Sequence, residues 1–142
     1  GAFNAESRIE TPHLDRLAAE GLRFTDAHSG GSVCVPSRYA LMTGRFAVRA
    51  ELNWRNEPVI EYDRMTIASL LRDNGYSTAM VGKWHLGFES PEVSDEQFDF
   101  SRPLRGGPAD RGFDTFFGMH ASLDIPPYFY IRDREPVMPA TI

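Results

Sequence analysis

The chain has one cysteine, Cys34, in 142 residues. An intrachain disulfide is therefore excluded, and so is a zinc site built on several thiolates. No apolar run approaches the length of a membrane-spanning helix. There is no initiator methionine and no basic-then-apolar opening in Gly1-Ala2-Phe3-Asn4, so no signal peptide is readable. There is no basic excess either. The formal net charge is −5, which argues against a nucleic-acid binder but not against a local anion site. Repeats and low-complexity segments are also missing. What remains is an ordinary globular composition, 42% hydrophobic and 25% charged, long enough for one domain with a core.

Local patterns predict alternating helices and strands. Thr11-Pro12 opens a helix through Glu20: Thr11 can cap it, Pro12 fits its first turn, and Gly21 can end it. Leu22 to Ala27 alternates apolar and polar, as a strand does. A second helix is expected over Pro36 to Thr43, closed by Gly44, with Cys34 just ahead of its first turn. A third runs from Thr66 to Asn74, with Ile67, Leu70 and Leu71 turned inward and Gly75 ending it. Ser77 to Val81 reads as a buried parallel strand. Arg45 to Arg64 has no clean period, Phe88 to Arg111 reads as surface loop, and four prolines keep the tail after Ser122 irregular. This order points to an α/β layered fold without an internal domain boundary.

Two strings carry chemistry. In Cys34-Val35-Pro36-Ser37-Arg38 the proline sets φ for a helix start. The free N–H donors of that start lie close to residue 34, and Arg38 follows one turn on. A cysteine there would sit in an anion-friendly pocket. It could be a thiolate nucleophile, a modified cysteine, or a structural cysteine beside a helix end. The second string is Gly75-Tyr76-x-Thr78-x-x-x-Gly82-Lys83-Trp84-His85-Leu86-Gly87. Lys83 and His85 follow a predicted strand, at the end where open α/β sheets bind ligands. Two residues apart on extended chain, they would share a face. A fixed cation beside a group that titrates near neutrality suits an oxyanion substrate. The plainer reading is a surface lysine, a packing tryptophan and an incidental histidine; Trp84 is read as packing.

The longer pattern Cys34-x-Pro36-Ser37-Arg38-x-x-Leu41-x-Thr43-Gly44-Arg45 resembles the signature of the type I, formylglycine-dependent sulfatases. The Lys83–His85 string resembles their second signature, and Arg111-Gly112-Phe113-Asp114-Thr115-Phe116-Phe117-Gly118 resembles a later arylsulfatase segment. The resemblance runs from about Thr11 to about Tyr130. It implies part of an alkaline-phosphatase-like layered sheet flanked by helices, and a sulfuric ester hydrolase as the whole protein. It implies that Cys34 is oxidised to formylglycine by a maturation enzyme and becomes one ligand of a Ca²⁺ ion. Arg38, Lys83 and His85 would then serve catalysis, with Lys83 and Ser122 holding the sulfate. Asp124 is a further candidate for the pocket wall. His28 reads as a loop histidine with a structural hydrogen bond, and His13 and His120 have no supporting context.

The family's Asp-Asp pair on its first strand and its later Asp-Asn pair have no match here; Asp15 and Asp26 stand in other contexts. Residues 1–142 are therefore expected to form a partial catalytic domain, inactive alone. A sulfated small molecule or carbohydrate is the implied substrate, and a periplasmic or secreted location follows from the family. Phosphonate monoester or phosphodiester hydrolysis, and non-catalytic binding of sulfated glycans, are the competing readings.

Overall fold

A computed structural model describes residues 1–50, 52, 58–89 and 100–137. Three helices and a four-stranded mixed sheet make up its regular structure. The helices are α1 (Pro12–Glu20), α2 (Cys34–Thr43) and α3 (Ile67–Asp73). The strands are β1 (Ala79–Lys83), β2 (Thr115–Met119), β3 (Tyr130–Arg132) and β4 (Glu135–Pro136), in that spatial order. β1 and β2 are parallel, with Ala79 opposite Thr115 and Lys83 opposite Met119. β3 and β4 add antiparallel. The α/β reading therefore holds, and residues Ala47–Arg49 and Pro108–Asp110 add single 3₁₀ turns.

The β1–β2 register is set just before the strands begin. The Thr78 amide donates to the Asp114 carboxylate at 2.8 Å. The Thr78 hydroxyl donates to the Gly112 carbonyl at 2.7 Å and accepts from the Asp114 amide at 3.0 Å. Thr78 is buried, so these bonds satisfy polar groups that water does not reach. Further along, Gly118 faces Gly82. A Cβ on Gly118 would lie 1.7 Å from the Gly82 carbonyl oxygen, so only glycine permits this approach.

The core sits between α2 and the sheet. Val35, Tyr39 and Met42 of α2 meet Trp84, Leu86, Phe88, Phe116 and Ile131. Tyr39 is fully buried but keeps its hydroxyl near Glu61, donating at 3.1 Å. Glu61 also receives Arg45 at 2.9 Å and Arg64 at 3.2 Å, which ties the end of α2 to the loop ahead of α3. Arg111 is buried too. Its Nη2 donates to the Ile60 carbonyl at 2.9 Å and its guanidinium lies 4.5 Å above the Tyr62 ring.

Several expectations fail for definable reasons. Leu22 to Ala27 is not a strand; Leu22 and Phe24 are exposed, and among the described residues no strand pairs with this segment. Alternation alone cannot satisfy a strand's backbone groups. Thr11 does not cap α1, because its hydroxyl is turned to Asp15. Cys34 is the first residue of α2 rather than a residue ahead of it. In α3, Ala68 is the buried residue, while Ile67, Leu70 and Leu71 are exposed. The parallel strand runs two residues later than expected and shows Val81 to solvent, so it is not buried on both faces. The tail is not wholly irregular, since β3 and β4 form a hairpin turning at Asp133, φ 56°. Within Phe88–Arg111, Phe88, Leu104 and Pro108 are buried, so that segment is more than surface loop; residues 90–99, with most of its acids, lie outside the described residues. The helix ends at Gly44 and Thr66 follow the sequence reading. Gly44 adopts φ 66°, and Thr66 closes a capping box with Ser69.

Candidate functional site

Cys34 opens α2 behind Val33, a residue with no side-chain acceptor, so no side chain caps this helix. Pro36 supplies no N–H, and the first intrahelical bond runs from the Ser37 amide to the Val33 carbonyl at 3.2 Å. The early amides of Cys34 and Val35 are thus free of a side-chain cap, at the positive end of the helix. The preceding loop is held against this turn: the Ser37 hydroxyl donates to the Gly31 carbonyl at 2.6 Å. A side chain at Gly31 would collide with Pro36. Cys34 itself is a free thiol, half-buried against the core.

Arg38 lies on the same helical face as Cys34, one turn on. Its Nη1 donates to the Lys83 carbonyl at 2.5 Å. That bond brings the first turns of α2 to the C-terminal end of β1. Lys83 is the last residue of β1, and its ammonium donates to the Ser122 hydroxyl. Arg38, Lys83 and Ser122, 45 and 39 residues apart by pairs, form one contact chain. Ser122 belongs to the loop after β2, so the parallel β1–β2 pairing is what brings it opposite Lys83.

His85 arrives differently from the expectation of alternating strand faces. It has φ 56°, a left-handed conformation that breaks the extended chain after Lys83. The turn is pinned by main-chain bonds from Trp84 to Met119 at 3.0 Å and from His85 to His120 at 2.8 Å. Trp84 is buried as read, and its indole N–H donates to the Gly87 carbonyl at 2.8 Å. Burial pushes the His85 ring below its usual pKa; Lys83, Arg38 and His120 push it the same way, and Asp124 opposes them. The ring is thus neutral at pH 7. Its Nδ1 is buried with no hydrogen-bond partner among the described residues. A buried ring nitrogen left so is uncommon and suits a group that a ligand completes.

His120, which has no supporting context in the sequence, lies beside these residues. Its ring is half-buried, stacks on Phe129 at 5.3 Å, and bonds to the Pro127 carbonyl at 2.8 Å. No motif announces it, because its role depends on a loop that doubles back. His28 is exposed and bonded to Asp26 at 2.7 Å, as a loop histidine. Asp124 is exposed, within electrostatic reach of His85. A cleft of about 630 Å³ around Tyr62, Arg105 and Arg111 is lined by none of Cys34, Arg38, Lys83, His85 and Ser122. Among the described residues, no group of three or more His, Cys, Asp or Glu side chains could hold a metal ion. The described residues therefore do not fit a calcium site by themselves.

The family model described as Sulfatase matches residues 2–134. The chain belongs to the sulfatase family. It is 34% identical over 135 residues to N-acetylgalactosamine-6-O-sulfatase of Bacteroides thetaiotaomicron, covering 92% of this chain and 26% of that protein. It is 38% identical to human steryl-sulfatase over 121 residues, covering 78% and 19%. Canine arylsulfatase G is 39% identical over 129 residues, covering 88% and 21%. This sulfatase chain thus spans about a quarter or less of the curated relatives' length. Among solved structures, one concerned with the metabolism of multiple glycosaminoglycans by Bacteroides thetaiotaomicron superposes with a TM-score of 0.75 at 34% identity, covering 89% of this chain and 26% of that one. Ps i-CgsB in complex with k-i-k-neocarrahexaose gives a TM-score of 0.67 at 27% identity, covering 96% and 33%. The sheet and helices described here are accordingly part of an alkaline-phosphatase-like sulfatase fold. No helix among the described residues is long and apolar enough to cross a membrane.

Proposed function

We propose that residues 1–142 are the nucleophile-bearing part of a sulfuric ester hydrolase of the arylsulfatase type. The carrying observation is the contact chain from Arg38 through the Lys83 carbonyl to the Lys83 ammonium and Ser122, beside the helix start that bears Cys34. Cys34 is a free, half-buried thiol at an uncapped helix start, a place that fits oxidation to formylglycine by a maturation enzyme. Formylglycine supplies an aldehyde hydrate with two hydroxyls, one to bond sulfur and one to release the sulfate as the aldehyde returns.

The chain's own residues do the holding. Lys83 donates from its ammonium to a sulfate oxygen, with Ser122 as the neighbouring hydroxyl. Arg38 spends one N–H on the Lys83 carbonyl, which leaves its other donors for the same anion. The early amides of α2 add two fixed dipoles. His85, neutral near pH 7, offers its unpartnered Nδ1 to the hydroxyl that cannot be left charged in a dry pocket. Positive groups fixed before the substrate arrives stabilise charge that grows on the sulfate oxygens without reorganising. A calcium ion would need ligands from beyond these residues, since Cys34 alone does not make such a site.

The substrate class we propose is a sulfated carbohydrate, supported by relatives named for a sulfated sugar and solved with a neocarrahexaose. A periplasmic or secreted location accompanies it. The test uses the full-length protein expressed with the maturation machinery. Mass spectrometry of the Cys34 peptide should show the aldehyde in place of the thiol, and an aryl sulfate should be hydrolysed faster than the matching aryl phosphonate. A persistent thiol would favour a glycan binder. Faster phosphonate turnover would favour a phosphonate hydrolase.

A further inference from the structure

His120 ties the turn that carries Lys83 and His85 to the loop after β2. Its carbonyl accepts the His85 amide at 2.8 Å, so its main chain fixes the turn that carries Lys83 and His85. Its side chain works in the opposite direction. Nε2 lies 2.8 Å from the Pro127 carbonyl. A carbonyl only accepts, so Nε2 carries the proton and the tautomer is settled. The ring's flat face stacks on Phe129, which is buried, with planes 12° apart. Between these anchors, residues 121–127 form a loop that carries Ser122 and Asp124. Apart from a turn bond from Ile125 to Ser122, the named ties of this loop are Lys83 on one side and His120 on the other.

We propose that His120 is a positioning residue for substrate binding. By bracing the 121–127 loop from inside, it holds the Ser122 hydroxyl against the Lys83 ammonium. The proposal rests on the sulfatase reading above. The ring would act on affinity for the sulfate group, through loop position, and not on the bond-making step.

The test compares His120→Phe, which keeps a stacking ring but has no donor, with His120→Gln, whose amide can donate at about the place of Nε2. Both are made in the full-length, matured protein and assayed on an aryl sulfate. His120→Phe should raise KM about fivefold to tenfold, the size one lost hydrogen bond implies, with kcat within about twofold. His120→Gln should restore KM to within about twofold of wild type. Wild-type KM in His120→Phe would overturn the proposal, as would equal damage in both variants or a loss confined to kcat. A His120→Phe protein that no longer melts cooperatively above assay temperature would make His120 a folding residue and overturn it too. If the wild-type matured protein does not hydrolyse the sulfate, the sulfatase reading itself fails, and that outcome is visible before any variant is assayed.

Discussion

Replacing Gly118 by alanine tests whether the site depends on the close approach of β1 and β2. The new Cβ would meet the Gly82 carbonyl oxygen at 1.7 Å and its carbon at 2.7 Å. Comfortable carbon contacts begin at roughly 3.5 Å, so the strands must part by more than an ångström or slide. Both atoms are main chain, and no side chain can swing aside. Overpacking of this kind costs about 1–3 kcal/mol. Weakening one or two neighbouring ladder bonds adds about 1 kcal/mol each. The total is about 3 kcal/mol. The next register pair is Lys83 with Met119, so the displacement is delivered directly to the strand end that carries Lys83. Denaturant melts of the full-length protein followed by circular dichroism give the first number, and aryl sulfate kinetics give the second. Gly75→Ala is the control: its Cβ would meet nothing within 4 Å, so only its φ of 85° is strained, at about 1 kcal/mol. A Gly118→Ala protein whose unfolding free energy lies within about 1 kcal/mol of wild type would refute the close-approach argument.

Lys83→Ala should lower kcat/KM about tenfold to a hundredfold, the range for a lost charged hydrogen bond, while Tm changes little; a larger change in Tm than in activity would count against a substrate role. Thr66→Ala removes the cap of α3 and the bond to the Arg111 carbonyl, and should destabilise by about 1–2 kcal/mol in denaturant melts, with Thr66→Ser keeping most of it. His85 and His120 both have folded pKa values below the ordinary 6.5, chiefly through burial. As pH falls through 6.5 the unfolded rings take protons first, so stability is complete above that pH and declines below it. NMR titration should show Asp124→Asn lowering the His85 pKa further, because Asp124 is the group that opposes the shift; an unchanged value would sink the assignment. Calcium added to the 142-residue chain should leave its Tm unchanged, since the described residues offer no cluster to bind it.

The helices were legible because their punctuation is local. Pro12, Gly44 and Thr66 mark ends by chemistry that acts within one turn. Lys83 and Ser122 could be named from their strings, but their contact needed a parallel pairing between strands more than thirty residues apart. Faces were read less well. Ile67, Leu70 and Leu71 have the spacing of an inward face yet stand exposed, since periodicity says which residues share a side and not what covers it. His85 escaped the strand rule because a left-handed residue resets direction. The His120 ring contact was not legible, because its partner is a carbonyl seven residues ahead, reached only when the loop closes.

Arg38 grips Lys83 by the carbonyl, a group every amino acid carries. The fastening of helix to strand is therefore indifferent to the side chain at 83. Position 83 can drift to another cation, or to none, while the helix that bears Cys34 stays moored. No such latitude exists at 38, where lysine lacks the fork and shorter residues lack the reach. Under random mutagenesis the two neighbours should diverge in tolerance: variants at 83 should fold and lose catalysis, whereas variants at 38 should lose anchorage and catalysis together.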